Sequence, residues 1–213
     1  EGLARAEAEQ ERLNAFITLM PEQALAAATA ADVRFARGEP LGPLDGVPIA
    51  VKDIIEVAGV RNTAASIILA GNVAQANAPV VERLLAGGAV IIGKTNLHEF
   101  AYGGTGDRGC FGPARNPWNA EHMTGGSSSG SAAAVAAGLC PIALGTDTAG
   151  SVRIPAALCG IVGLKPTYGR VSTERVIPLS WNMDHVGPMT GTVEDAALAL
   201  NAMCDFESPS FGG

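Results

Sequence analysis

Residues 124–156 read TGGSSSGSAAAVAAGLCPIALGTDTAGSVRIPA, with five serines, six glycines and no histidine. Serines set among glycines suit two kinds of chemistry: a loop that cradles an anion, or a nucleophile presented at a turn. The phosphate loop fails on spacing. In GTDTAGSV the glycines stand at 145 and 150, but Ser151 and Val152 follow where a Walker loop needs Lys and then Ser or Thr. GGSSSG does not fit the dinucleotide pattern G-x-G-x-x-G either. A Ser–His–acid triad would have to use His98, His122 or His185, and none has a recognisable setting. His98 in NLHEF reads as a helix-surface or packing residue, and His185, after Asp184, as satisfying a turn. The G-x-S-x-G elbow of the α/β-hydrolases is also missing from GTDTAGS.

A nucleophilic serine therefore needs another base, and lysine remains. An ordinary lysine is protonated at neutral pH and accepts nothing. Burial among apolar residues disfavours the charged form and lowers the pKa. Lys52 in VPIAVKDII is one cation in a β-branched and aliphatic run. Strand alternation puts it on the face opposite Val51 and Asp53. The other reading of Lys52 is a strand-end lysine that pairs with an acid or snorkels to water. Lys94 in GKTN is a rival base, expected to be paired structurally.

These residues need elements to hold them. Residues 2–13 read as a helix, and LNAFITLM (13–20) as a strand or helix end. Pro21 opens an Ala-rich helix to about Arg37. GEPLGPLDG (38–46) is a loop, and VPIAVKDII (47–55) a buried strand. A helix over 78–88 ends at a Gly pair, with a strand over 89–96 behind it. The long segment 102–126 has no hydrophobic period, a property of functional loops. SSSGSAAAVAAGL (127–139) reads as a helix whose serines cap or line its start, CPIALGTD (140–147) as a strand, 148–157 as a tight turn, and CGIVGLKPT (159–167) as a short strand. Thr192 caps a last helix over 192–204. Helix–strand alternation predicts an α/β fold. Trp118, Tyr102 and Trp181 either line a pocket or fill the core.

The 213 residues suffice for one sizeable domain or two small ones. Apolar residues make up 47% and charged residues 16%, so much of the chain should be buried. The net charge of -7 argues against a broad nucleic-acid-binding face. Cys110, Cys140, Cys159 and Cys204 form no C-x-x-C pair, so neither a zinc site nor any other metal site or cofactor is expected. Cys140 and Cys159 read as reduced core residues. The polar, acidic N-terminus does not resemble a signal peptide, and Gly and Pro interrupt every apolar run short of a membrane span. A cytoplasmic protein is expected. Glu1 is not an initiator Met, and SPSFGG has little to pack, so both ends read as trimmed.

GGSSSGSAAAVAAGL followed by ALGTDTAGSVRIPAALCGIVGLKPTYGRVS resembles the amidase signature family. DGVPIAVKD, APVVERLLAGGAVIIGKTNLHEFA, GPARNPW and DHVGPMTGTVEDAALAL extend the likeness over residues 41 to 204. The resemblance implies a single amidase signature domain over 1–213: a helical lead-in (1–40), then a catalytic core (41–204) with a mixed β-sheet flanked by helices. Family members are longer, so it also implies an incomplete N-terminal portion. It implies a Ser–cis-Ser–Lys triad in which Ser151 is the nucleophile, Ser127 the relay after Gly126, and Lys52 the base. Backbone N–H groups of Thr148, Ala149, Gly150 and Ser151 would form an oxyanion hole. Ser128 would support the site, while Asp147 and Arg153 brace its turn as an ion pair. Ala149 stands where the family usually has Gly, and its methyl group restricts φ.

The activity implied is hydrolysis of a carboxylic amide through an acyl-enzyme. The alternatives are the glutamine-hydrolysing component of a tRNA-dependent amidotransferase and a non-catalytic fragment. IPLSWNMDHVGPM leans toward the stand-alone enzymes. The expected partners are a small amide substrate and either a second copy, in a homodimer, or a partner subunit. Neither a membrane nor direct nucleic-acid contact is expected.

Overall fold

The computed structural model describes residues 2–204, so the segment SPSFGG and Glu1 lie outside the described residues. Six strands form one mixed sheet in the order β1-β3-β2-β4-β6-β5. They are β1 (Phe16–Leu19), β2 (Pro48–Lys52), β3 (Val90–Thr95), β4 (Ile142–Asp147), β5 (Val162–Gly163) and β6 (His185–Thr190). The central strand β2 runs parallel to both β3 and β4, while β1, β6 and β5 add antiparallel partners outward. Six α-helices accompany them: α1 (Gly2–Leu13), α2 (Pro21–Arg37), α3 (Pro79–Ala86), α4 (Ser129–Ala136), α5 (Arg153–Cys159) and α6 (Val193–Met203).

Alternation along β2 separates two cores. Ile49 and Val51 pack with Val80, Val81 and Leu84 of α3 and with Ala199 and Met203 of α6. Ala50 faces the other way, against Ala6 and Leu13 of α1, Ala24 of α2 and Ala133 and Ala134 of α4. Lys52 follows Ala50 in period two and so belongs to the α4 side. Local signals explain the helix ends. Pro21 and Pro79 occupy first turns, Gly38 closes α2 in the left-handed conformation at φ 72°, and Thr192 accepts from Asp195 N at 3.1 Å.

Helix α4 is buried on nearly all sides and, Val135 apart, built of Ser, Gly and Ala. Small side chains let it approach the sheet. A Cβ on Gly130 would lie 2.2 Å from Ala15 O and 2.4 Å from Asn96 N, and one on Gly145 would lie 2.7 Å from Ser128 Oγ. Gly130 thus sets how closely α4 meets the backbone at the start of β1 and the end of β3, and Gly145 how closely Ser128 meets β4.

Three expectations need correction. The segment 148–157 is not turn throughout: it bends and then becomes α5, which starts at Arg153, tolerates Pro155 in its first turn and ends at left-handed Gly160. The strand expected over 159–167 shrinks to Val162–Gly163. Strand β6 was not anticipated, because Gly187 and Pro188 interrupt its apolar pattern. Its six-residue ladder with β4 exists because a preformed neighbour supplies the partners.

Candidate active site

Lys52 is fully buried at the end of β2. Its Nζ lies 2.7 Å from Ser127 Oγ, 3.0 Å from Ser128 Oγ and 2.7 Å from Thr146 Oγ1. Burial pulls its pKa down from 10.5 to about 7, against the upward pull of Asp184 and Asp147. A neutral amine has two N–H donors and one lone pair, so three hydroxyl contacts match its capacity. Ser128 donates its own proton to Thr146 O at 3.2 Å and accepts from Thr146 N at 3.2 Å. Toward Lys52 it can therefore only accept. The lone pair is left for Ser127 or Thr146.

Of the two readings of the serines at the start of α4, capping or lining, Ser128 follows the second and lies within hydrogen-bonding reach of Lys52. It is the N-cap by position but makes no side-chain capping bond, because its hydroxyl turns to Lys52 and β4. Ser131 likewise points to the sheet and donates to Leu144 O at 2.8 Å. The Gly126–Ser127 peptide is cis. Ser127 O accepts from His98 N at 3.0 Å, and Gly126 N donates to Gly104 O at 2.7 Å. The long loop is thus tied directly to the serine segment.

Ser151 sits after β4, in the bend before α5, and is half-buried. Ser128 N donates to Ser151 O at 3.2 Å, which holds the two serine segments together. Asp147 organises the bend. It accepts from Gly150 N at 2.7 Å and Val152 N at 3.2 Å, and Arg153 reaches it through Nε at 2.9 Å and Nη2 at 3.0 Å. Burial works against ionising Asp147, but Arg153 and these N–H groups outweigh it and keep the carboxyl below its ordinary value. Of the four N–H groups expected to form an oxyanion hole, that of Gly150 points to Asp147 instead, which leaves Thr148, Ala149 and Ser151 as candidates. The unusual backbone falls on Gly150, at φ 128°, and Ala149 is not among the positive-φ residues, so its methyl group is accommodated.

A cavity of about 370 Å³ opens beside Ser151, bordered by Tyr102, Gly103, Gly104, Ala149, Ile154 and Leu179. Tyr102 is 78% exposed at its edge, Trp181 is exposed and borders a smaller cavity with Val176, Pro178 and Asp184, and Trp118 is exposed away from the core. Trp118 instead donates from Nε1 to Cys159 O at 2.8 Å.

The rival lysine is paired as expected. Lys94 Nζ lies 3.1 Å from Asp53 Oδ1 and donates to Asn62 Oδ1 at 2.8 Å, all within the core. His98 approaches Asp107 at 3.9 Å from the loop side. His185 opens β6, and its Nδ1 lies 3.0 Å from Asp147 O at the bend that follows β4, so its ring satisfies a backbone group of that bend. Sequence reasoning missed Thr146 and Asp184. Thr146 stands one residue before Asp147 in a strand aimed at the serines. Asp184 accepts from Thr148 Oγ1 at 2.5 Å and from Leu179 N at 2.8 Å; its adjacency to His185 was the only available cue.

The chain matches the family model described as Amidase over residues 1–210 and belongs to that family. It is 55% identical over 201 residues to the A subunit of the glutamyl-tRNA(Gln) amidotransferase of Chloroflexus aggregans, covering 94% of this chain and 41% of the relative. Among solved structures, it superposes with TM-score 0.92 and 42% identity on the native peptide amidase from Stenotrophomonas maltophilia, covering 97% of this chain and 44% of that one. A TM-score of 0.93 and 47% identity relate it to a chain of a vestigial protein complex connected with the origins of an s-triazine catabolic enzyme, covering 98% and 46%. The chain thus spans about two fifths of the length of the curated relatives it matches.

Proposed function

We propose that the protein hydrolyses a carboxylic amide to acid plus ammonia or amine through an acyl-enzyme on Ser151. The observation that carries this reading is the 2.7 Å contact between the buried Lys52 amine and Ser127 Oγ, with a lysine pKa near neutrality, at about 7. Ser151 Oγ attacks the carbonyl carbon. Its proton passes to Ser127 Oγ while the Ser127 proton passes to Lys52 Nζ, so the relay gains one proton in all. The N–H groups of Thr148, Ala149 and Ser151 receive the developing oxyanion, and each such donor contributes on the order of 3 kcal/mol. As the intermediate collapses, the C–N bond breaks and the relay returns its proton to the leaving nitrogen. Water then attacks the ester, its proton takes the same route, and the acid leaves with Ser151 restored.

The second reading is a glutamine-hydrolysing component that works with partner subunits, favoured by the identity to the amidotransferase of Chloroflexus aggregans. The segment IPLSWNMDHVGPM favours the stand-alone reading. Four free cysteines fit a cytoplasmic setting, and no helix among the described residues is long and apolar enough to cross a membrane.

Labelling with a fluorophosphonate probe and mapping the modified peptide tests the nucleophile. Modification at Ser151, abolished in Ser151→Ala with an unchanged circular dichroism spectrum, is the expected result. Normal amide turnover by Ser151→Ala would sink the proposal. Glutaminase assays with and without candidate partner subunits separate the two readings.

A further inference from the structure

The structure carries a second set of contacts on the nucleophile bend, made from the start of β6. Asp184 and His185 are consecutive, and each grips one of two consecutive residues at the end of β4. Asp184 Oδ1 accepts from Thr148 Oγ1 at 2.5 Å, and His185 Nδ1 lies 3.0 Å from Asp147 O. A carbonyl oxygen only accepts, so Nδ1 must carry the ring proton and donate. His185 Nε2 lies 3.3 Å from Lys165 Nζ, which itself donates to Pro166 O at 2.9 Å. A lysine amine beside Nε2 supplies a proton donor, which fixes the same tautomer from the other side of the ring.

The approach of Lys165 is built in. Leu164 N donates to Pro188 O at 3.1 Å, and a Cβ on Gly187 would lie 2.2 Å from Leu164 O. Gly187 thus lets the 164–166 segment cross directly over β6. The rings of Tyr168 and His185 meet in a T-shaped arrangement with centroids 5.5 Å apart, and Tyr168 Oη donates to Trp181 O at 3.1 Å. Asp184 Oδ2 accepts from Leu179 N at 2.8 Å, and Leu179 borders the cavity beside Ser151.

We propose that Asp184 and His185 are positioning residues that clamp the Asp147–Thr148 corner, and that Lys165 holds His185 in the tautomer the clamp requires. The proposal rests on the reading of Ser151 as nucleophile. Thr148 and Ala149 supply candidate oxyanion donors, so a released corner misdirects both them and Ser151. Neither clamp residue needs to touch substrate.

The test compares His185→Phe, His185→Asn and His185→Gln in the native protein by the kinetics of fluorophosphonate labelling, with Ser151→Ala as control. Asn puts an N–H donor near the Nδ1 position, whereas Gln puts it near Nε2. The limiting labelling rate of His185→Phe should fall about ten- to a hundredfold, with the half-saturating probe concentration little changed. His185→Asn should recover most of that loss and His185→Gln should not, at matched melting temperatures. A normal rate in His185→Phe, or equal rates in the Asn and Gln variants, overturns the clamp. If the Phe variant does not fold, the Asn–Gln comparison alone decides. Undiminished labelling of Ser151→Ala would instead remove the underlying assignment of the nucleophile.

Discussion

Lys52 and Lys94 occupy neighbouring parallel strands, both fully buried, yet they face opposite sides of the sheet. Lys52 is registered with Thr95 and Lys94 with Val51, so alternation sends the two amines apart. Lys94 meets the Asp53 carboxylate at 3.1 Å, whereas Lys52 meets three hydroxyls. Burial pulls the pKa of Lys94 down as well, but the Asp53 carboxylate beside it favours the protonated amine and opposes that pull. An amine that faces hydroxyls in a dry site releases its proton near neutrality and can act as a base.

Labelling of Ser151 should therefore rise with pH through about 7 and level off above it, as Lys52 becomes neutral. Stability carries the same sign. Between about 7 and 10.5 the unfolded chain holds the lysine proton and the folded chain does not, so stability increases with pH across that window. The slope from one group is up to about 1.4 kcal/mol per pH unit. Urea melts from pH 6 to 10 should show this rise in wild type relative to Lys52→Met. Parallel curves for the two proteins would refute the depressed lysine.

Asp53→Asn leaves Lys94 buried without its counter-ion, at a cost of about 3–5 kcal/mol. Denaturant melts of Asp53→Asn, Lys94→Met and the double variant measure the coupling. The double variant should be more stable than Asp53→Asn alone. An additive cycle would show that the ion pair has no energetic consequence.

Thr146→Val removes one of the three hydroxyls on Lys52 without changing side-chain volume. Loss of that buried hydrogen bond should destabilise the protein by about 1–3 kcal/mol. The labelling rate should drop about tenfold because the base loses its alignment. A fully active variant would show that Ser127 and Ser128 suffice to hold the amine.

Gly130→Ala places a methyl group 2.2 Å from Ala15 O and 2.4 Å from Asn96 N, neither of which can step aside without moving backbone. Overpacking at this contact should cost about 3 kcal/mol or more. A melting temperature close to wild type would mean that α4 can ride up from the sheet with its serines still in place.

Much of this was visible in the residues. Pro21, Pro79, Gly38 and Thr192 mark helix ends by local backbone chemistry, and their helices lie within a residue or two of expectation. Alternation through PIAVK assigns Lys52 its face without reference to any partner, and a single cation in an apolar strand implies a depressed pKa. The ion pair of Asp147 with Arg153 spans only six positions, so local spacing was enough to suggest it. Other features had no local signal. Strand β6 carries Gly187 and Pro188, and its ladder depends on β4 and β5 being there to pair with it. Thr146, Asp184 and Lys165 gain their roles from residues 94, 36 and 20 positions away. Periodicity and capping act over one or two turns of chain, so the sequence alone determined the helices with clear end signals, the strands β2, β3 and β4, and the face on which Lys52 lies, but not α5, β5 or β6. Which hydroxyl meets the buried amine, and which N–H the Asp147 carboxylate takes from the bend, was decided only when the sheet register and the close seat of α4 brought distant segments within hydrogen-bonding reach.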